Sequence, residues 1–424
     1  MKGTGRRVKF HYSKKHSLYM DNQLSIPAKR SQIGVGGFNV SARAKQLVME
    51  VLDSNRLTAG PKMAQFEKEI AAIHGCKYGL MSNSGTSALH IALAALKEKY
   101  NWQDGDEVLV PAVTFVATSN VVIYNNLKPV FVDVDPQYYC LDPTKIEEKI
   151  TPRTRAIMPV HLAGQPCDME PILKIAERHN LRIVEDSAET MFACDKGRPV
   201  GSFGDVGCFS TYAAHMITTG VGGLCTTNDP ELIVMLKSLM NHGRDSIYIT
   251  IDDDKAAKGD ELFQIANSRF SFVRLGHSFR CTEMEAALGI AQLEERKQAC
   301  ARRLEIVAQY NKGLADLQNF LQLPSQRPES EHSYMFYALT ILDERVKRDV
   351  LIRFLEDNSI ETRYLLPLIN QPIYRQIFGN LDDEFPVAAR LNQNAFYIGC
   401  HPDLSDEEAE YVIEKFHEFF RSYR

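Results

Sequence analysis

Short apolar runs rich in β-branched residues alternate along the chain with longer segments of helical period. The runs Val108–Val110, Val130–Val134, Ile157–Val160, Ile183–Val184 and Val206–Ser210 predict strands. Between them, Ala88–Lys97 places Leu89, Leu93 and Leu96 at i, i+4 and i+7, and this segment and Glu170–Asn180 predict helices. Such alternation predicts an α/β fold with a mostly parallel central sheet flanked by helices. In sheets of this kind, ligands collect at the carboxyl ends of the strands.

The polar stretch Asp245–Asn267, with IDDDKAAKGDE inside it, reads as an inserted surface loop. From Thr282 the helical period returns, and beyond about residue 325 short strands mix with helices. The chain ends in SDEEAEYVIEKFHEFF, where Ser405 and Glu408 predict a capping box and Val412, Ile413, Phe416, Phe419 and Phe420 share one face. The expected organisation is a basic arm (1–39), a large α/β domain (40–280) and a smaller C-terminal α+β domain (281–424). No internal repeat is present.

Composition narrows the function classes. A chain of 424 residues, 44% hydrophobic, is long enough for two cored domains. Lys+Arg 49 against Asp+Glu 54 gives a net charge of -5, which argues against sequence-independent binding of nucleic acid. No run of 18 apolar residues suggests a membrane-spanning helix. The nine cysteines include no CxC or CxxC pair, so they read as buried reduced thiols of a cytoplasmic protein, with no metal site. The first twenty residues are basic, lack acids and lack the apolar run of a secretory signal, and are expected to form a loose arm.

Four segments at strand ends carry candidate chemistry. Ser82-Asn-Ser-Gly-Thr-Ser87 opens a helix with small and hydroxylated residues. That suits either a phosphate cradle or plain helix capping. Phe115, in Pro111-Ala-Val-Thr-Phe115, is placed either to stack on a flat ligand or to fill the core. Asp186, in Ile183-Val-Glu-Asp186-Ser-Ala-Glu189, ends an apolar strand, where an acid is costly without a cationic partner. A protonated pyridine nitrogen is one such partner; capping a turn is the plainer reading, and Glu185 is open to a solvent-facing role. The fourth segment runs from Cys208 through Ser210 and His215 to the glycines at 220, 222 and 223.

In this order the segments resemble the DegT/DnrJ/EryC1/StrS family of pyridoxal-phosphate sugar aminotransferases. The resemblance extends over about residues 40–424 and includes Arg56-Leu-Thr-Ala-Gly-Pro61, Pro159-Val-His-Leu-Ala-Gly-Gln-Pro166, Asn241-His-Gly243 and Leu275-Gly-His-Ser-Phe-Arg280. It implies the fold type I architecture, pyridoxal or pyridoxamine phosphate as cofactor, and a homodimer with shared active sites. By the same resemblance, Gly85, Thr86, Ser87 and Ser210 hold the cofactor phosphate. Phe115 stacks on the ring, Asp186 pairs with the ring nitrogen, Glu189 lies near the ring hydroxyl, and Ser278 reaches the neighbouring subunit's phosphate.

One departure bears on function. The family's aminotransferases carry a lysine where this chain has His215, and that lysine holds the cofactor covalently. Imidazole does not form that bond but serves as a base near neutral pH. The same replacement marks the family's nucleotide-sugar 3-dehydratases. One kind needs an iron–sulfur cluster bound through a CxC pair, which is absent here. The resemblance therefore implies the cluster-free kind, similar to GDP-4-keto-6-deoxy-mannose 3-dehydratase, with L-glutamate as amino donor and a nucleotide-linked keto sugar as substrate. Phe396-Tyr-Ile-Gly-Cys-His401 resembles the same branch. Three other readings stay open: an aminotransferase that borrows another base, a catalytically silent relative, and an introduced lysine-to-histidine change.

Overall fold

The computed structural model describes residues 31–245 and 256–423. The first thirty residues of the expected arm, and residues 246–255 of the expected loop, lie outside that description. Two helices lead, α1 (Ala42–Asp53) and α2 (Pro61–Ile73). There follow β1 (Tyr78–Ser82), α3 (Gly85–Lys99), β2 (Glu107–Pro111), α4 (Val116–Tyr124), β3 (Lys128–Val132), β4 (Thr154–Ile157), α5 (Met169–Arg178) and β5 (Arg182–Asp186). A small hairpin, β6 (Cys194–Asp195) and β7 (Arg198–Pro199), precedes β8 (Val206–Ser210), β9 (Gly223–Thr227) and α6 (Pro230–Met240).

These strands build a seven-stranded sheet in the order β1-β9-β8-β5-β4-β2-β3. β9 runs antiparallel to both of its neighbours and the other pairings are parallel, so six strands point one way. Their carboxyl ends share one edge. Every residue of β2, β8 and β9 is buried, as expected of strands covered on both faces. The runs that read as strands are strands, with β4 three residues earlier than expected.

The stretch read as a loop contains a helix, α7 (Gly259–Ser268). Its apolar side, Leu262, Ile265 and Ala266, is short and only Ile265 is buried, and the charged run before it gave the stretch the composition of a loop. The long helix α8 (Glu283–Gly313) then joins two cores. Its first half gives Ala286, Ala287, Ile290, Ala291 and Leu293 to a cluster with Leu47, Val51, Phe66 and Ile70 of α1 and α2. Its second half gives Ile306, Val307 and Tyr310 to the core of a second sheet.

That sheet is antiparallel in the order β10-β11-β13-β12, from β10 (Leu321–Gln322), β11 (Tyr337–Ile341), β12 (Thr362–Tyr364) and β13 (Ala395–Ile398). The remaining helices are α9 (Arg348–Asp357), α10 (Pro372–Phe378), α11 (Pro386–Asn394) and α12 (Asp406–Phe420). The capping box of α12 is present. Ser405 Oγ accepts from Glu408 N–H at 3.1 Å, and Glu408 Oε2 accepts from Ser405 N–H at 2.9 Å. Residues far along the chain return to the first sheet: Leu365, Leu368, Ile369, Tyr374 and Ala388 lie in the core built on residues 80–240. Among the described residues, no helix is long and apolar enough to cross a membrane. All nine cysteines are free thiols, seven of them buried.

Candidate active site

The shared carboxyl edge of the sheet gathers most of the candidate residues. At the end of β1, Ser84 caps α3, its Oγ accepting from Ser87 N–H at 3.0 Å. Ser87 Oγ donates to Asn83 Oδ1 at 2.7 Å. Capping and anion binding therefore divide the loop between them. The Ser87 amide is spent on the cap, while Gly85 and the exposed Thr86 leave first-turn N–H groups at the positive end of a fifteen-residue helix.

This turn is pressed against its neighbours too closely for side chains at two points. A Cβ on Gly85 would meet Ser210 Cβ at 2.9 Å, and one on Gly223 would meet Ser84 O at 2.2 Å. These contacts bring the ends of β1 and β8 and the start of β9 to one cradle, with Ser210 in its wall.

Asp186 ends β5, beside β8, and is buried. Its Oδ2 accepts from Thr118 Oγ1 at 2.7 Å and its Oδ1 from Ala188 N–H at 3.1 Å. It thus caps a turn and still presents a buried carboxylate. Burial pushes its carboxyl above the usual range, against the pull of the Thr118 and Ala188 donors. Thr118 belongs to α4, whose N-cap is Phe115. Phe115 is 57% exposed, so the core reading of this aromatic fails and a ring stands open at the strand end.

Glu185, one residue earlier, does not face solvent. It is fully buried, accepts from the N–H groups of Gly201 and Gly204 at 2.7 Å each, and lies 3.1 Å from His161 Nε2. Alternation along the strand turns it to the face opposite Asp186, where two loop amides and a histidine satisfy it.

Glu189 is buried, and its Oε2 accepts from Ala163 N–H at 3.0 Å. Burial, with the Asp186 charge adding to it, pushes the Glu189 carboxyl up to about 8. It is therefore mostly protonated at pH 7 in the cofactor-free protein. The sign for stability follows. A carboxyl raised from 4.5 to about 8 supports the fold fully below pH 4.5, and that support is lost as pH rises toward 8. In the cofactor-free protein, Glu189→Gln is expected to raise Tm by a few degrees at alkaline pH and to leave it unchanged in acid. Equal melting curves in alkali would show that the carboxyl is not held neutral.

His215 sits on the loop between β8 and β9. That loop is closed by Thr211 and Thr219, whose hydroxyls lie 2.6 Å apart, and by Thr211 N–H donating to the Gly222 carbonyl at 3.0 Å. The ring is half-buried, its Nδ1 is enclosed, and burial pushes the imidazole down to about 4 against the pull of the Tyr212 backbone.

Ser278 stands apart from the cradle, its hydroxyl accepting from Arg280 Nη2 at 3.0 Å. Its segment still touches the loop, because Asn83 N–H donates to the Phe279 carbonyl at 2.7 Å. The capping reading of the Ser82–Ser87 segment falls on Ser84, while Thr118, Ala163 and the Thr211–Thr219 clasp were not singled out; Thr118 and Ala163 act across 68 and 26 residues and carry no local signal.

The known proteins that this chain resembles share its fold. Residues 39–417 match the DegT/DnrJ/EryC1/StrS aminotransferase family. A GDP-perosamine synthase of Caulobacter vibrioides is 34% identical over 385 residues, 90% of this chain and 96% of that protein. A dTDP-4-dehydro-2,6-dideoxy-D-glucose 3-dehydratase of Saccharopolyspora spinosa is 33% identical over 376 residues, 86% of this chain and 81% of that one. The solved structure of the Escherichia coli GDP-4-keto-6-deoxy-D-mannose-3-dehydratase with bound hydrated PLP superposes with a TM-score of 0.82 at 27% identity. It covers 91% of this chain and 99% of that one.

The residues present fit pyridoxal phosphate. The helix start with free amides suits its phosphate, the open Phe115 ring its plane, and the buried Asp186 carboxylate its ring nitrogen. A neutral Glu189 suits an ionised ring hydroxyl.

Proposed function

The chain belongs to the DegT/DnrJ/EryC1/StrS aminotransferase family, with its fold type I architecture and its dependence on pyridoxal phosphate, and within that family we propose that it is a 3-dehydratase of a nucleotide-linked 4-keto-6-deoxy sugar. The feature that carries this reading is His215, a partly enclosed imidazole where the sequence resemblance would place the family's lysine. The similarity to two 3-dehydratases supports it.

When bound, the cofactor in its pyridoxamine form supplies an amine for the sugar's C4 ketone and a ring that accepts electrons. The amides of Gly85 and Thr86, with the Ser210 hydroxyl, hold its phosphate, and Ser87 keeps that turn in shape. Phe115 fixes the ring plane. Asp186 holds the ring nitrogen protonated, and Glu189 donates to the ring oxygen. With the cofactor bound, His215 would be the base for the carbon that bears the amine and would hold the proton that the departing C3 hydroxyl needs to leave as water. With no lysine amine to compete, loss of the hydroxyl is favoured over completed nitrogen transfer. The product is a 3-deoxy-4-keto sugar, with ammonia released by water. L-Glutamate then restores the amine and leaves as 2-oxoglutarate.

A homodimer with shared sites belongs to the same proposal, with Ser278 directed to the partner's phosphate. Phe263, Phe270, Phe272, Val273 and Leu275 are exposed within one short segment, an apolar surface suited to a second copy.

The test is incubation of the purified protein with pyridoxal phosphate, glutamate and a GDP-4-keto-6-deoxy-hexose, with the sugar product read by mass spectrometry. A ketone retained, the C3 oxygen lost and ammonia released are the expected result. An amine in place of the ketone would make the protein an aminotransferase, the activity in the description of its family.

A further inference from the structure

Two glycines near the start of the described residues have no conformational reason to be glycine. Neither Gly36 nor Gly37 lies in the left-handed region, so other residues could adopt their backbone. What they lack is room. A Cβ on Gly36 would lie 3.3 Å from the Ala214 Cα and 3.5 Å from its Cβ, and one on Gly37 would lie 2.7 Å from His401 Nδ1 and 2.6 Å from Asp403 Oδ2. Ala214 directly precedes His215. Residues 33–41 thus form a strap that passes between the His215 loop and the segment after β13.

The strap is fixed at both ends. Ile33 N–H donates to the Ser359 carbonyl at 2.8 Å, and Glu361 N–H to the Ile33 carbonyl at 2.9 Å. Val35 N–H donates to Glu361 Oε2 at 2.9 Å, so this end is tied to the residues leading into β12. At the other end Ser41 caps α1, its Oγ accepting from Ala44 N–H at 3.2 Å, and Ala44, Leu47 and Val51 anchor α1 in the core it shares with α8. Behind the strap, a Cβ on Gly399 would meet Gly34 O at 2.2 Å. Gly399 and His401 belong to Phe396–His401, which the proposed cycle does not use. On the other side, His215 N–H donates to the Tyr212 carbonyl at 2.9 Å and the Thr218 hydroxyl to the Ala213 carbonyl at 3.3 Å. Tyr212 and Ala213 are exposed, and the strap backs Ala214.

We propose that Gly36 is a positioning residue for His215: the strap, backed by Gly399 and His401, sets where the turn Tyr212–His215 holds the imidazole. The consequence for catalysis rests on the function proposed above; the contact itself does not. Misplacing a reacting group by ~1 Å can cost ~10²-fold in rate. A side chain at position 36 must push Ala214 aside by a fraction of that, so a loss of roughly tenfold in kcat is expected.

The first measurement is NMR of the cofactor-free protein with isotope-labelled histidine, the His215 signal being identified by its loss in His215→Asn. Gly36→Val is expected to move that signal. Adding Ala214→Gly, which removes the methyl pressed by the new side chain, is expected to bring it most of the way back. Thermal melts check folding. Where Gly36→Val does not fold, Gly36→Ala takes its place, with a smaller displacement expected.

The second measurement is turnover of the cofactor-loaded protein. Gly36→Val is expected to lower kcat roughly tenfold and to leave the sugar KM within about twofold. Ala214→Gly in the same chain is expected to restore kcat beyond the sum of the two separate effects. A His215 signal that stays in place in a folded variant overturns the proposal, whatever the reaction. So does a kcat that the variant leaves unchanged, or a loss that Ala214→Gly only adds to. A signal that moves and is restored, in a protein whose wild type forms no 3-deoxy sugar, upholds the strap's hold on the imidazole and overturns the function proposed above.

Discussion

His215→Asn is expected to bind pyridoxal phosphate as the wild type does and to lose dehydration by roughly 10²–10⁴-fold, the span of a lost general base. Asparagine keeps the ring's approximate volume and polarity but does not accept a proton near neutral pH, so the loss isolates the base from the shape of the site. Cofactor binding rests on the α3 start, Phe115 and Asp186, which the change does not touch. A second signature separates a base from a spacer. Burial pushes His215 down to about 4, so the imidazole stays neutral through the range where an ordinary histidine titrates. The acid limb of kcat/KM, which reports the free enzyme, should therefore lie well below 6.5, and the profile should be flat between about pH 5.5 and 7. Normal turnover of the variant, or a limb near 6.5 in the wild type, would remove His215 from that role.

Asp186→Asn is expected to lower activity by about 10²–10⁴-fold. A protonated ring nitrogen facing a neutral amide is a buried charge without its partner, a change costing ~3–5 kcal/mol, and each 1.36 kcal/mol is tenfold in rate. The amide oxygen can still accept from Ala188 N–H while the amide nitrogen donates to the Thr118 hydroxyl, so the fold is expected to survive, and melting of the cofactor-free protein should show it. The measured split is informative: affinity for the cofactor falls and kcat falls further, because electron withdrawal by the ring is needed most at the barrier. A variant with unchanged kcat would detach Asp186 from the ring nitrogen.

The two residues were legible in the sequence for different reasons. Asp186 closes an apolar run, and a carboxylate there is conspicuous because burial penalises it. His215 stood out only against a family pattern; imidazole on a loop has no physical signature of its own. The strands were legible because a parallel sheet covered on both faces leaves continuous apolar runs, as in Val206–Ser210. What escaped was whatever depends on meetings across the chain. Thr118 reaches Asp186 over 68 residues. Glu185 is satisfied by Gly201, Gly204 and His161, none near it in sequence, so nothing local told it from a solvent-facing acid. Arg303 reads as one of several charges on a helix rich in them, and its burial arises only where β11 and the segment before it come to rest against α8.

The packing of the last third of the chain against the first sheet bears on how the protein is made. A ribosome that has delivered residues 1–282 has produced all seven strands of that sheet, yet the first half of α8 has still to cover α1 and α2. Leu365, Leu368, Ile369, Tyr374 and Ala388, which complete the main core, emerge later again. Part of the apolar surface of the earliest-made layer therefore stays wet until residues 365–388 have emerged. The nascent chain must wait, incompletely closed, for its own C-terminal segment, and in that interval an exposed strand edge invites pairing with other chains.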